Sequence, residues 1–273
     1  MRKVAYFLVV IGTAVIISGC QSLPFMDKPT PTHTQMVTSH QQVQPFTAIV
    51  VDGPMDVDLV PQLPTERLHR LTFTSSKDTA GTLVASVDNG VLYLRNMEKI
   101  YTKGAPKPHV RVTTGELRSL SSTSTAGIIS GQQIRGKNLT TINVRGGVVS
   151  LAGSEIGLRS LTVVSGGNVS IANIKTNQTL YVRGKDNTHI ALTGTAKAIE
   201  VVLSMDSVLD ARYLRAENGF VNTTDRARAD VNVSHSLNAF ATVNSNIYYH
   251  QQQPELLSKY LRHASSVLFF QDK

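Results

Sequence analysis

The 273-residue sequence predicts an all-β fold, a parallel β-helix (β-solenoid) closed by a short C-terminal capping helix. Two observations carry this. Between Leu139 and Ile171 the chain repeats one phrase, strand, Gly-Gly, strand, with Gly146-Gly147 and Gly166-Gly167 as breaks; alternation at period two marks short half-buried strands, and glycine tolerates the positive φ of tight corners. The second is a column. Val144, Val164, Val182, Leu203, Thr223 and Val243 are separated by 20, 18, 21, 20 and 20 residues. The positions two earlier read Ile142, Thr162, Leu180, Val201, Val221 and Ala241, so five of six members in each column are apolar and are assigned to the interior. A unit of about 20 residues is one turn of a solenoid, whose coils bury apolar side chains only by stacking on their neighbours. An antiparallel sandwich is the alternative, but it would repeat residue types at every strand rather than every second one.

Taken in order, Met1 to Cys20 is a targeting segment. Arg2 and Lys3 precede an apolar run, Val4 to Ile17, whose 14 residues span roughly 21 Å as a helix, too short for a ~30 Å hydrocarbon core. A signal peptide is expected. It ends in Ile17-Ser18-Gly19-Cys20, which resembles the bacterial lipobox, so Cys20 is the expected acylation site and membrane anchor, with Gln21 after it matching sorting to the outer membrane of a Gram-negative envelope. Cys20 is the one cysteine of the chain, so no disulfide is expected. Residues 21–45, rich in Pro, Thr, Gln and Ser and carrying His33 and His40, are expected to form a disordered tether. A single solenoid domain follows at 46–273: irregular coils at 46–116, regular rungs at 117–250 and a cap at 251–273.

In the first coils, Phe46 to Val51, Met55 to Val60, Leu71 to Phe73, Leu83 to Val87, Val91 to Leu94 and His109 to Thr113 read as strands, with Asp88-Asn89-Gly90 a turn. At the other end, Pro254 to Ala264 places Leu257, Tyr260, Leu261 and Ala264 on one helical face and is expected to be the capping helix, followed by an apolar strand at Ser266 to Phe270.

The order Phe46-x-x-Ile49, Gly53, Val57-x-Leu59, then Val87-x-x-Gly90-x-Leu92, Val110-x-Val112, Leu117-x-x-Leu120, and late Ile247-Tyr248-Tyr249 with Pro254, resembles the putative autotransporter adhesin head (GIN) family over about Phe46 to Phe270. The resemblance implies a right-handed parallel β-helix, export, a lipid anchor and an adhesive or scaffolding role. It brings no catalytic motif, and this chain has few of the family's Gly-Ser-Gly corners.

Residues for chemistry are sparse. Asp52, Asp56, Asp58, Asp206, Asp210, Asp225 and Asp230 are the carboxylates from which a glycoside hydrolase pair would have to come. The eight histidines form no zinc-binding spacing, no Gly-x-Ser-x-Gly elbow occurs, and no phosphate-cradling loop is present, so neither enzyme activity, metal nor cofactor is expected. Net charge is more informative: +8 overall. Arg135, Lys137, Arg145, Arg159, Arg183 and Lys185 are expected to line the array, with Arg145 and Arg183 in one column two rungs apart and Arg145, Arg183, Lys185 and Arg159 as a ligand-binding basic stripe for anionic glycan, lipid or an envelope protein. Nucleic acid is not an expected partner of an exported lipoprotein. The reading is a non-catalytic, lipid-anchored outer-membrane protein, periplasmic or surface-facing, used for adhesion or scaffolding; the alternatives are a carbohydrate-active β-helix enzyme and a periplasmic envelope-maintenance factor.

Overall fold

The computed structural model describes residues 35–63, 68–98, 106–123 and 127–270. The targeting segment, Cys20 and the first part of the tether lie outside them. Among the described residues nineteen strands are found in this order: β1 Met36–Val43, β2 Ala48–Asp52, β3 Asp56–Pro61, β4 His69–Ser76, β5 Leu83–Asp88, β6 Val91–Asn96, β7 His109–Thr114, β8 Ser119–Ser122, β9 Ile128–Gly136, β10 Thr141–Arg145, β11 Val148–Ile156, β12 Ser160–Val164, β13 Asn168–Lys185, β14 His189–Ser204, β15 Val208–Thr223, β16 Arg228–Ala241, β17 Asn246–His250, β18 Leu256–Leu261 and β19 Ser266–Phe270. From β8 onward every lateral pairing is parallel, coil upon coil. This is a β-solenoid.

The first coils mix directions. β2 and β3 join the parallel stack through β6, β8, β7 and β9, while β1–β4, β4–β7 and β5–β6 pair antiparallel. The turn between β5 and β6 has φ of +48° at Asn89 and +74° at Gly90, the two left-handed residues that a tight hairpin requires. Residues Met36–Val43, assigned to the tether by composition, form β1, and His40 Nδ1 lies 3.1 Å from Thr72 Oγ1 of β4. Polar side chains did not prevent a strand here, because β4 offers a free row of backbone partners.

The interior is a stack of columns. One runs Ile49, Leu120, Ile142, Leu161, Val182, Val201, Val221 and Ala239, all buried. The next runs Val144, Val163, Gly184, Leu203, Thr223 and Ala241. These correct the expected register in three rungs: Val182 and Gly184 hold the two columns where Leu180 and Val182 were expected, and Ala239 and Ala241 hold them where Ala241 and Val243 were expected. Leu161 and Val163 face inward, not Thr162 and Val164, and Val243 is an exposed corner residue. A one-residue slip exchanges the two faces of a strand, and the adjacent valines 163 and 164 fit either. Thr223 is a polar member of an interior column; its hydroxyl lies 2.9 Å from Ser245 Oγ, which itself donates to the Thr223 carbonyl at 2.8 Å. Bonding of this kind offsets the cost of burying hydroxyls.

From β10 onward the coils turn at the same place through two consecutive left-handed residues: Gly146-Gly147, Ser165-Gly166, Asp186-Asn187, Met205-Asp206, Asp225-Arg226, Val243-Asn244 and His263-Ala264. Glycine is therefore the exception at these corners, which accounts for the shortage of Gly-Ser-Gly. The second corner begins at Ser165, consistent with the shifted register. Gly167 has a different task, since a Cβ there would come within 2.7 Å of Val163 Cγ1.

The expected capping helix is absent. Residues Leu256–Leu261 form β18, parallel to β16 with Leu257 opposite Leu237 and Leu261 opposite Ala241. The same residues satisfy a helical face and a period-two strand, and the open edge of β16 decides for the strand by supplying backbone partners. The apolar strand at the C-terminal end is found, as β19 beside β17. No helix among the described residues is long and apolar enough to cross a membrane.

Candidate functional site

The sequence-named cations divide into two groups. Arg145, Arg183 and Lys185 are exposed on the outer face of one sheet. Arg145 shares its column with Val164 and Lys185, whereas Arg183 stands beside Thr162 and Asn143, two positions along. The expected Arg145–Arg183 column is thus an Arg145–Lys185 column, because this rung of β13 stands two residues away from the expected register. Two rung spacings, ~10 Å, separate the pair.

Arg159 lies elsewhere, at the corner leading into β12. With Lys137, Glu155, Lys175 and Gln178 it lines a recess of about 360 Å³. A second recess of about 500 Å³ shares Arg159, Asn177 and Gln178 with the first and adds Tyr181 and Lys197. Four cations thus border one connected depression against a single carboxylate, Glu155, which lies 4.0 Å from Lys175. Lys175 was not singled out from the sequence. Its signal was the coil period, because it follows Glu155 by 20 residues. Arg135 is exposed on β9, and its backbone bridges to Glu116.

Six of the seven candidate aspartates have cationic partners. Asp52, Asp56 and Asp58 face Arg95, Lys107 and Arg111 at 3.4, 3.8 and 3.3 Å. Arg226 grips Asp206 with two bonds of 2.7 and 2.6 Å, and Arg212 grips Asp210 with bonds of 3.0 and 2.8 Å. The guanidinium bonds hold both carboxyls below the ordinary aspartate range. A glycosidase acid needs the opposite shift. Asp225 is a corner residue.

Asp230 has the most enclosed carboxylate of these. It accepts two bonds from Arg228, at 2.6 and 2.9 Å, and sits 2.9 Å from Nε2 of the buried His250, one coil later. The Arg228 guanidinium also covers the Tyr248 ring at 4.6 Å. His250 went unnoticed in the sequence, although its 20-residue distance from Asp230 is the coil period that also joins Asp206 to Arg226 and His235 to Glu255. Among the described residues no group of three His, Cys, Asp or Glu side chains is placed to hold a metal ion.

The order of strands and the repeated corners agree with a family comparison. The sequence profile of the family described as putative auto-transporter adhesin, head GIN domain, matches residues 45–252. The chain belongs to this family. Among solved structures, a GIN-domain solenoid of this shape is similar to one described as a putative lipid binding protein from Parabacteroides distasonis ATCC 8503, with a TM-score of 0.73 at 16% identity over 87% of this chain and 98% of that one. A putative adhesin from Parabacteroides merdae ATCC 43184 gives 0.71 at 16% identity over 87% and 97%. A putative adhesin from Bacteroides fragilis NCTC 9343 gives 0.59 at 17% identity, again over 87% and 97%. At these identities the likeness is one of fold. A comparison with curated proteins finds no match.

Proposed function

We propose that this GIN-domain chain is a non-catalytic head of the cell envelope, anchored to the outer membrane through an acylated Cys20, that adheres to anionic surface material. Adhesin-like naming of the family and of two structural neighbours supports the adhesive part, and the lipobox-like Ile17-Ser18-Gly19-Cys20 supports the anchor. The observation that carries the choice of ligand is the connected depression bordered by Lys137, Arg159, Lys175 and Lys197, next to the row Tyr181, Arg183 and Lys185. Concave cationic surfaces concentrate anions, and each Lys or Arg near an anionic surface contributes roughly 1 kcal/mol. The common chemistry is a phosphate or carboxylate borne on a polymer or a headgroup.

The test is binding to immobilised acidic polysaccharide and, in parallel, to vesicles carrying anionic phospholipid. Reversing Arg159 and Lys175 to Glu should weaken binding by at least about tenfold and flatten its salt dependence. Whichever surface loses binding identifies the source of the anion. Binding to both that survives the reversal and is indifferent to salt would overturn the proposal.

A further inference from the structure

A further recess adjoins the cationic depression, its Ala196 and Glu217 standing next in the chain to Lys197 and Asn218, yet it has a different lining. Asp210, Asp230 and Tyr248 lie side by side in successive coils, and so do Asn218, Ser236 and Leu256. From one column to the other the chain advances by eight positions in the first coil, six in the second and eight in the third. The middle coil therefore cuts its corner short while both neighbours bulge past it. Ladder pairing shows where the difference arises: Val231 and Asn232 are consecutive, yet their partners Ala211 and Arg215 are separated by Arg212, Tyr213 and Leu214.

At the short coil lies a notch of about 450 Å³. Asn232 and Ser234 of the short coil form its floor, Arg215 and Glu217 one wall, and Gln251 and Gln252 the other. Asn232 is 5% exposed and is fixed by donating Nδ2–H to the Arg212 carbonyl at 3.2 Å; Gln251 Nε2 donates to the same oxygen at 3.3 Å. Tyr213, 61% exposed, projects from the long coil two residues before Arg215, on the same side of the strand.

From this lining we infer that the notch is a binding site for a neutral saccharide, a ligand class distinct from that of the cationic depression. Among its described lining residues Arg215 and Glu217 are the ionic groups, and their charges cancel. Three carboxamides offer donors and acceptors together, which matches hydroxyl groups that must do both. Ala196 and Ala216 are the apolar residues among its described lining, so an acyl chain would gain little there. Tyr213, exposed beside the lining and not part of it, offers a flat apolar face at the edge against which a pyranose ring can stack. The inference rests on the reading of this chain as a binding protein, and it assigns a second site.

The probes are neutral oligosaccharides of glucose, mannose and N-acetylglucosamine, titrated into the isotopically labelled protein, with oligogalacturonate as the acidic counterpart. A neutral oligosaccharide should shift the amides of Asn232, Ser234 and Gln251 saturably, with a Kd on the order of 1 mM, and independently of salt. Ser234→Trp, which fills the notch, and the rim pair Arg215→Ala with Gln252→Ala should each weaken it at least tenfold. The rim pair is exposed and keeps the test valid if the tryptophan disturbs folding. Arg159→Glu with Lys175→Glu should leave it unchanged; loss of sugar binding in that variant alone would move the sugar to the cationic depression and overturn the notch while sparing adhesion to anions. No saturable shift with any of the three neutral sugars, or saturation by the acidic oligomer alone, would overturn the assignment.

Discussion

Val163 and Val164 offer a direct test of the register on which every column depends. Val163 is fully buried between Val144 and Gly184, and Val164 is half-buried on the outer face between Arg145 and Lys185. Replacing Val163 by Asp forfeits about 2 kcal/mol of apolar burial. The carboxylate then escapes burial of its charge by taking up a proton, which from an ordinary value near 3.9 costs about 4 kcal/mol at pH 7. The sum, about 6 kcal/mol, is comparable to the whole stability of many domains, on the order of 5–15 kcal/mol. Val164→Asp instead sets a carboxylate between two cations at the surface, a change of about 1 kcal/mol or less in either direction. The assay is urea unfolding followed by circular dichroism, with Val163→Thr and Val164→Thr as milder partners in case Val163→Asp does not fold. The sign with pH is also fixed. A buried Asp has a folded-state pKa above its unfolded value, so the penalty is full above the folded value and should shrink by about 1.4 kcal/mol per unit as pH falls from there toward 4. Equal destabilisation by the two substitutions, or a worse effect at Val164, would refute the columns.

Three further outcomes are expected. Val243, a β-branched residue at φ +55°, should relax on Val243→Asn, raising stability by about 1 kcal/mol and the melting temperature by about 2–4 °C in calorimetry; a lower melting temperature would argue against the left-handed corner. Asp210 is held below its ordinary value by the Arg212 bonds, so it contributes stability above the unfolded aspartate pKa that is lost as pH falls through the lower folded one. Asp210→Asn should accordingly lower stability at neutral pH and flatten the acid limb below about pH 4 in pH-dependent unfolding, and an unchanged limb would count against the pair. Cys20→Ser should move the protein from the membrane to the soluble fraction on cell fractionation, and continued sedimentation with membranes would remove the anchor from the proposal.

Much of the solenoid was legible because its information is periodic. A strand phrase returning every ~20 residues, with apolar positions alternating around it, has few compact solutions other than stacked coils, and the strands from Phe46 to Thr113 and at the C-terminal end could be read from their own alternation. Leu256–Leu261 was misread for the complementary reason: its side chains suit a helix and a strand alike, and only β16 beside it breaks the tie. The cationic site was half legible. Arg159 and Lys137 could be named from composition, but not that they meet Lys175 and Lys197 around one depression while Arg145, Arg183 and Lys185 lie on a flat face.

The sequence by itself determined the coil, its period and its approximate interior, since these follow from the spacing of residue types along one strand and its repeats. Only the tertiary structure decided what depends on the lateral fit between coils. That includes the choice of Val163 over Val164, the ladder that pairs Arg145 with Lys185, the Asp230–His250 contact and the notch left by a coil two residues shorter than its neighbours. Lateral register is set by backbone hydrogen bonds that any residue but proline can make, so sequence types constrain it weakly, and a slip of one residue changes the whole outer surface.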